Sequence, residues 1–218
     1  MNPGQFSGAD GGFAALRQFA RRRPTAEHCE LCGAEVVPEH AHLVDLARRK
    51  LLCACDPCAV LFSGQDGPKY KRVPRRVTVL ADFRMTDAQW DGLMIPINMA
   101  FFFKNSAEEK ISVFYPSPAG ATESLLALET WDEIVRENPG LGHMDSDVEA
   151  LLVNRVGYAR GATPAEYYLL PIDECYKLVG IIRMHWRGLS GGSKVWQELG
   201  HFFTGLQSRV RVGEESHA

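Results

Sequence analysis

Four cysteines in two Cys-x-x-Cys pairs are the residues whose type and spacing define a chemistry most sharply in this chain. The first pair is Cys29 and Cys32, the second is Cys55 and Cys58, and a segment of hairpin length separates them. This spacing is typical of a zinc ribbon, in which two tight turns bring four thiolates around one ion. Gly33 follows the first pair and can adopt the positive φ angle that such a turn needs. The sequence therefore predicts a metal site formed by these four cysteines.

The predicted site is closed, because four cysteines fill a tetrahedral coordination shell, whereas a catalytic zinc keeps one position open. We therefore expect a structural ion, with zinc preferred. Iron is the alternative, since four thiolates also suit a rubredoxin-type iron or an iron–sulfur cluster. Disulfides are the third option, but they need an oxidising compartment, and we expect no signal peptide in this chain.

Several further ligand-type residues lie near the two pairs: Cys53, His28, His40 and His42. Cys53 either points to the other side of its strand, away from the four sulfur atoms, or takes the place of Cys55 as a ligand. It is therefore a possible extra ligand. His40 and His42 share one face of a predicted strand, because side chains alternate with a period of two. This arrangement suits a solvated face or a second metal site. We favour the solvated face, because nothing else nearby in the sequence completes a site.

Composition and length describe an ordinary globular protein. The chain has 218 residues, of which 45% are hydrophobic and 23% charged, and its formal net charge is −3. That charge gives no reason to expect a general polyanion as partner. The longest apolar run, residues 95–103, contains Pro96 and Asn98 and is too short to cross a bilayer. We expect a cytoplasmic protein without membrane insertion.

The predicted organisation has four parts. Residues 1–25 form a glycine-rich leader and a short basic helix, residues 26–68 the zinc-ribbon-like module, residues 69–212 a second domain, and residues 213–218 a tail. The basic helix ends at Pro24 and is expected to pack on its own domain rather than on nucleic acid.

In the second domain, strand-like segments follow one another with short connections, which favours an antiparallel sheet. Strands are predicted over 76–82, 93–104, 110–115, 148–156 and 166–170. Helices are predicted over 86–93, from the cap Thr130 onward, over 171–186, and from Ser193 onward. The predicted fold class is α+β: an N-terminal four-cysteine module followed by a mainly antiparallel sheet with helices packed on it. Cys175 falls on the apolar stripe of its helix and is expected to be a buried core residue.

A glycine-rich loop before the last predicted helix could contact an anion or a partner through its free amides. The residues concerned are Arg187, Ser190, Gly191, Gly192 and Ser193. The loop lacks the lysine–serine ending of a P-loop, so a turn leading to a helix cap at Ser193 is the preferred interpretation.

A basic segment follows the predicted module and interleaves cations with one aromatic residue. It consists of Lys69, Tyr70, Lys71, Arg72, Arg75 and Arg76. Such a pattern could contact phosphates and stack a base, or it could be an exposed linker. The acidic total charge favours the linker.

Several runs of residues resemble an uncharacterised bacterial family whose genes lie beside those of uptake nickel-iron hydrogenases. They are residues 29–33, residues 51–58 with the Leu-Phe that follows, residues 171–176 and residues 186–192. The resemblance covers nearly the full chain from Cys29 onward. It implies an accessory or maturation partner of a metalloenzyme, and it supplies no catalytic residues.

Three classes of function follow from these patterns. The favoured one is a non-enzymatic accessory protein with a structural metal ribbon that binds a protein partner, such as a nickel-iron hydrogenase subunit or a maturation factor. The second is a nucleic-acid-binding zinc-ribbon protein. The third is an iron or thiolate redox protein that uses Cys53 as an extra thiolate. No catalytic residue is predicted.

Overall fold

The computed structural model describes residues 26–64, 69–124, 128–158, 161 and 163–215. The predicted leader and basic helix, and the last three residues, lie outside this range. The described chain forms two antiparallel sheets, one of three strands and one of six, with helices packed on them. The predicted α+β class is confirmed. No helix within the described ranges combines the length and the apolar character needed to cross a membrane.

The small sheet contains the four-cysteine module, and its strands are ordered β2-β1-β3. Its elements are β1 (Ala41–Asp45), β2 (Lys50–Ala54), α1 (Asp56–Ser63) and β3 (Tyr70–Arg72). The turn between β1 and β2 is held by Asp45, whose Oδ1 accepts hydrogen bonds from the backbone N–H groups of Ala47 and Arg48.

The strand β3 corrects the interpretation of the basic segment as an exposed linker. It pairs with the free edge of β1, with Leu43 opposite Arg72. The Tyr70 ring packs edge-on against Phe62 of α1 at 6.2 Å between ring centroids. The packing of Tyr70 and the pairing with the edge of β1 therefore fix this segment as a strand, although its cations suggested an exposed linker.

The large sheet is ordered β4-β9-β8-β5-β6-β7, and all its neighbouring strands are antiparallel. Its strands are β4 (Thr78–Val79), β5 (Met99–Asn105), β6 (Lys110–Ser117), β7 (Gly120–Ser124), β8 (Glu149–Asn154) and β9 (Glu166–Pro171). Its helices are α2 (Asp87–Gly92), α3 (Leu128–Glu137), a 3-10 helix (Pro139–His143), α4 (Ile172–His185) and α5 (Gly192–Glu215).

Helices cover both faces of the large sheet, which explains the apolar character of its central strands. Phe101 and Leu152 pack with α4 and α5 on one face. Phe102 and Leu151 pack on the other face with Trp90 of α2 and with α3. Because alternate residues of β5 and β8 enter different cores, these strands show no polar face in the sequence.

Element boundaries differ from the prediction where local signals misled it. The helix α3 begins at Leu128, so the predicted cap Thr130 lies inside it; the preceding leucine and glutamate are good helix formers and extend the helix. The strand predicted from residue 93 begins only at Met99, because Met94 has a positive φ and Pro96 interrupts pairing. By contrast, the helix predicted from residue 86 is found as α2, with Thr86 as its N-cap and a capping box between Thr86 and Gln89.

The strand predicted over 110–115 is longer in the structure, because β6 continues through Pro116 to Ser117. Pairing with β5 ends at Phe114, so β5 loses no hydrogen bond at Pro116, which has no backbone N–H to donate. Its other neighbour, β7, was not predicted, because its sequence from Gly120 to Ser124 has little apolar content. At the other end of the chain, α5 runs to Glu215, beyond the start of the predicted tail at residue 213.

The two sheets meet at a small apolar contact. Val44 of β1 and Val73 pack against Val148 and against Ile172, the first residue of α4. This contact places one face of β1 beside the start of α4. The opposite face of the small sheet carries the cysteine cluster, with Ala41, Leu43 and Ala54 in its core.

Leu152 gives a direct test of the central packing. It is fully buried in β8, so Leu152→Ala is expected to lower the free energy of unfolding by about 2 to 5 kcal/mol. Leu189→Ala is the matched control, because Leu189 is 103% exposed and its truncation should change stability by less than about 0.5 kcal/mol. Urea denaturation of both variants provides the measurement. Equal losses would contradict the burial described here.

Candidate metal centre

The four cysteines of the predicted site lie on two backbone turns that face each other. Cys29 and Cys32 flank a turn closed by a hydrogen bond from the Gly33 N–H to the Cys29 carbonyl at 2.8 Å. Gly33 has a φ of 77°, the left-handed conformation that this turn requires. Cys55 is the residue before α1, and Cys58 lies in the first turn of that helix. The hairpin β1–β2 and the start of α1 thus bring the second pair beside the first.

The four sulfur atoms are grouped as a tetrahedral ion requires. They all lie within 4.8 Å of one another. The Sγ atoms of Cys32 and Cys55, one from each pair, are 3.7 Å apart. A tetrahedral ion with bonds of about 2.3 Å to sulfur would separate its ligands by about 3.8 Å. The chemistry of the donor set and its spacing therefore fit one ion with four thiolate ligands.

The cluster has an apolar inner side and an exposed outer side. Cys29 and Cys58 are buried, whereas Cys32 is exposed and Cys55 is half-buried. Ala59 of α1 is fully buried beside them. Cys32 and Cys55 therefore form the more exposed side of the cluster, and no fifth protein ligand joins the group within the described part of the chain.

The two buried cysteines, Cys29 and Cys58, have different pKa values, and backbone N–H groups contribute to the difference. Burial by itself would raise the pKa of the Cys29 thiol, but hydrogen bonds from the backbone N–H groups of Cys55, Cys32 and Leu31 outweigh it and lower the pKa to about 6. The pKa of Cys58 is raised to about 12, first by its contact with the Cys55 side chain and then by burial. Amide donors around one sulfur are a means of stabilising negative charge in a cluster of thiolates.

Cys53 does not lie in this cluster but on the other face of β2. It is paired across the sheet with His42, and one ligand atom each from His40, His42 and Cys53 lies within 4.8 Å of the other two. The expectation that nothing near the two histidines completes a group is therefore wrong. The strand register, which brings residues 42 and 53 together, was the missing information. His28 forms an isolated bridge with Glu35 and belongs to neither group.

Cys175 is fully buried in α4 within the core of the large sheet, as predicted. Burial raises the pKa of its thiol well above the ordinary value. A neutral thiol without access to solvent is a packing residue rather than a nucleophile.

The glycine-rich loop before α5 is a tight turn closed on itself. The Arg187 N–H donates to the Gly191 carbonyl at 3.0 Å, and the Trp196 indole donates to the Ser190 carbonyl at 3.0 Å. Gly191 has a φ of 84°, and a Cβ there would lie 2.8 Å from a methyl group of Val195. The glycines are thus explained by backbone conformation and close packing.

The helix α5 begins at Gly192 and includes Ser193 in its first turn, so it starts two residues earlier than a cap at Ser193 implies. The contact with an anion or partner that was considered for Arg187, Ser190, Gly191, Gly192 and Ser193 stays a prediction.

Most cations of the basic segment are engaged within the protein. The Lys71 ammonium donates to the Ser146 carbonyl, and Arg76 donates to the buried carboxylate of Glu149 at 2.9 Å. Arg72 and Arg75 both lie within 4 Å of the Asp56 carboxylate, at 3.7 and 3.9 Å. The ammonium group of Lys69 lies over the ring of Tyr70 at 5.0 Å. These contacts tie the segment to the fold.

Comparison with known proteins gives one match. A family model described as a family of unknown function, DUF5947, matches residues 28–210, which include every cysteine of both groups described above. No curated protein and no solved structure matches the chain. Since the matched range covers most of the sequence, the chain belongs to the DUF5947 family.

Proposed function

We propose that this protein is a non-enzymatic accessory protein in which the four-cysteine module holds a structural zinc ion and binds a protein partner. The observation that carries the proposal is the grouping of four cysteine sulfur atoms within 4.8 Å of one another. A site filled by four protein thiolates leaves no position for a substrate, which favours a structural role.

The size of the module supports a structural ion. Its own core contains few large side chains: apart from Leu43, its buried members are alanines and the cysteines Cys29 and Cys58. A core of this size gives little hydrophobic stabilisation, and small modules usually need a metal or disulfides to fold. Binding a metal to four thiolates supplies that free energy directly.

Exposed apolar side chains on the module support a protein partner. Val60 and Leu61, adjacent on α1, are each 63% exposed, and Val37 is 66% exposed. Large apolar side chains at this exposure favour contact with another protein, because burying them removes apolar surface from water. The proposed binding surface is therefore the outer side of α1.

The proposed partner is a nickel-iron hydrogenase subunit or a maturation factor of that enzyme. Support for it comes from the resemblance of the cysteine runs and of residues 171–176 and 186–192 to a family encoded beside hydrogenase genes. Nucleic acid is the weaker alternative, because the cations of the basic segment contact carboxylates, a carbonyl and an aromatic ring of this chain.

Affinity purification of the full chain from native cells tests both parts of the proposal. We expect zinc by elemental analysis, a colourless protein, and hydrogenase components among the proteins recovered. Leu61→Glu should lower that recovery about tenfold. The substitution removes an apolar side chain that anchors the partner and places a charge in the contact instead.

Met184→Glu is the matched control, since Met184 is 62% exposed on α4, away from the module, and the same charge there should leave recovery unchanged. Recovery of nucleic acid alone would overturn the partner proposal. If the purified protein were coloured and contained iron, the structural zinc proposal would be wrong and the redox alternative would be favoured.

A further inference from the structure

A second group of ligand-type side chains lies on the face of the small sheet that is turned away from the four cysteines. His42 in β1 is directly opposite Cys53 in β2, and His40 precedes His42 by two residues and therefore shares its face. The two imidazole rings are 4.6 Å apart between centroids. One ligand atom from each of the three residues lies within 4.8 Å of the others.

The hydrogen bonds of both imidazoles leave the same nitrogen free. The Nδ1 of His40 donates to the Val37 carbonyl at 2.9 Å, with a carboxylate oxygen of Glu27 at 3.5 Å. The Nδ1 of His42 donates to the Asp173 carboxylate at 2.8 Å. Because a carbonyl and a carboxylate can only accept, the proton of each neutral ring lies on Nδ1, and Nε2 keeps its lone pair. Histidines that bind metals are oriented in this way, with the second ring nitrogen donating to a carbonyl or a carboxylate.

The free nitrogen of His40 has no protein partner among the described residues, although it is buried. The His40 side chain is only 5% exposed, and its Nε2 accepts no hydrogen bond there. A buried polar atom without a partner is costly, and each such atom in a native protein calls for an explanation. A metal ion bound to Nε2 would supply the missing partner.

An open cavity of about 430 Å³ adjoins the two histidines. Asp173 and Glu174 are among the residues that line it. One carboxylate oxygen of each is buried without a hydrogen-bond partner among the described residues, although Oε2 of Glu174 lies 3.8 Å from the Lys177 ammonium. This space gives an ion bound by the histidines access to a further ligand from solvent.

We propose that His40, His42 and Cys53 form a second metal site, separate from the four-cysteine cluster, which binds a divalent transition ion such as zinc. Two imidazoles and a thiolate match the ligand preferences of zinc and of similar ions. Three protein ligands leave one coordination position open, and the adjoining cavity makes it reachable by water or a small ligand. The site shares no ligand with the four-cysteine cluster, because Cys53 points to the opposite face of β2.

Zinc titration of the full chain, with the bound ions counted by elemental analysis after removal of free metal, tests the proposal. The wild type should bind two ions, and His42→Ala and Cys53→Ser should each bind one. Cobalt titration then assigns the ion that is lost. Both variants should keep the intense thiolate-to-cobalt absorption of a four-thiolate site and lose only the weaker contribution of a single thiolate.

The positioning role of Asp173 gives a second measurement. Asp173→Asn should weaken binding of the second ion about tenfold while leaving the first unchanged, because it disturbs the orientation of His42 without removing a ligand. His201→Ala is the control, since His201 is an exposed histidine of α5 outside both groups, and two ions should still bind.

A wild type that binds a single ion with the four-thiolate cobalt absorption, or variants at His42 and Cys53 that still bind two, would overturn the second site. An ion that is lost with His42→Ala, while the four-thiolate cobalt absorption is kept, supports it. Failure of this proposal is thus distinguished from failure of the structural zinc.

Discussion

Cys29→Ser and Cys58→Ser are each expected to release the ion of the four-cysteine module and to unfold that module. Both side chains are buried among the few core residues of the module, and a serine hydroxyl cannot replace a thiolate as a zinc ligand. The apparent free energy of binding a structural zinc is on the order of 10 kcal/mol or more, comparable to the whole stability of a typical domain. Elemental analysis should find the ion missing, and limited proteolysis should cut within residues 26–64.

Cys53→Ser is the matched control for these variants, because it makes the same chemical change in the same module, at a cysteine on the face of β2 that is turned away from the cluster. It should keep the ion of the four-cysteine module and resist proteolysis as the wild type does. If Cys53→Ser released that ion while Cys55→Ser retained it, the assignment of the four ligands would be wrong.

Chelation of metal from the wild type is expected to unfold the small sheet selectively. The large sheet has two cores of its own, one on each face, so its strands do not depend on the module for burial. Hydrogen exchange after treatment with a strong chelator should show loss of protection in β1 and β2. The central strands β5 and β8 should stay protected, since opening free energies differ between regions of one protein. Adding zinc back should restore the protection of β1 and β2.

The Cys58→Ser variant serves as the control for chelation, because its module has already lost the ion. Its exchange pattern should not change further when chelator is added. Loss of protection throughout the wild-type protein would instead mean that the two sheets unfold as one unit. Unchanged protection in β1 and β2 would mean that apolar packing alone holds the module together.

The sequence was sufficient for features whose determinants are local. Two Cys-x-x-Cys pairs predict the four-cysteine cluster, because each turn is fixed within a few residues and Gly33 permits the backbone it needs. The capping box at Thr86 is likewise contained in one turn of helix. The apolar runs of β8 and β9 identify strands covered on both faces, whatever their order in the sheet.

Features that depend on residues far apart in the chain could not be predicted from the sequence. The grouping of His40, His42 and Cys53 follows from the register of β1 against β2, and the carboxylate that orients His42 is 131 positions away in the chain. The strand β3 was hidden by the cations of the basic segment. Two of these, Lys71 and Arg76, contact Ser146 and Glu149, which also lie far along the sequence. A count of charges cannot show that a lysine or an arginine is already paired.

The pairing of Ala41 with Ala54 and of His42 with Cys53 makes the hairpin turn after Asp45 intolerant of a change in length. Inserting or deleting a single residue there would rotate every later side chain of β2 to the reverse side. Cys53 would then face the alanine-lined interior, while Leu52 and Ala54 would be turned out toward α4. One hairpin therefore keeps the four-cysteine cluster apart from the group of His40, His42 and Cys53, and the fixed length of its turn preserves that separation.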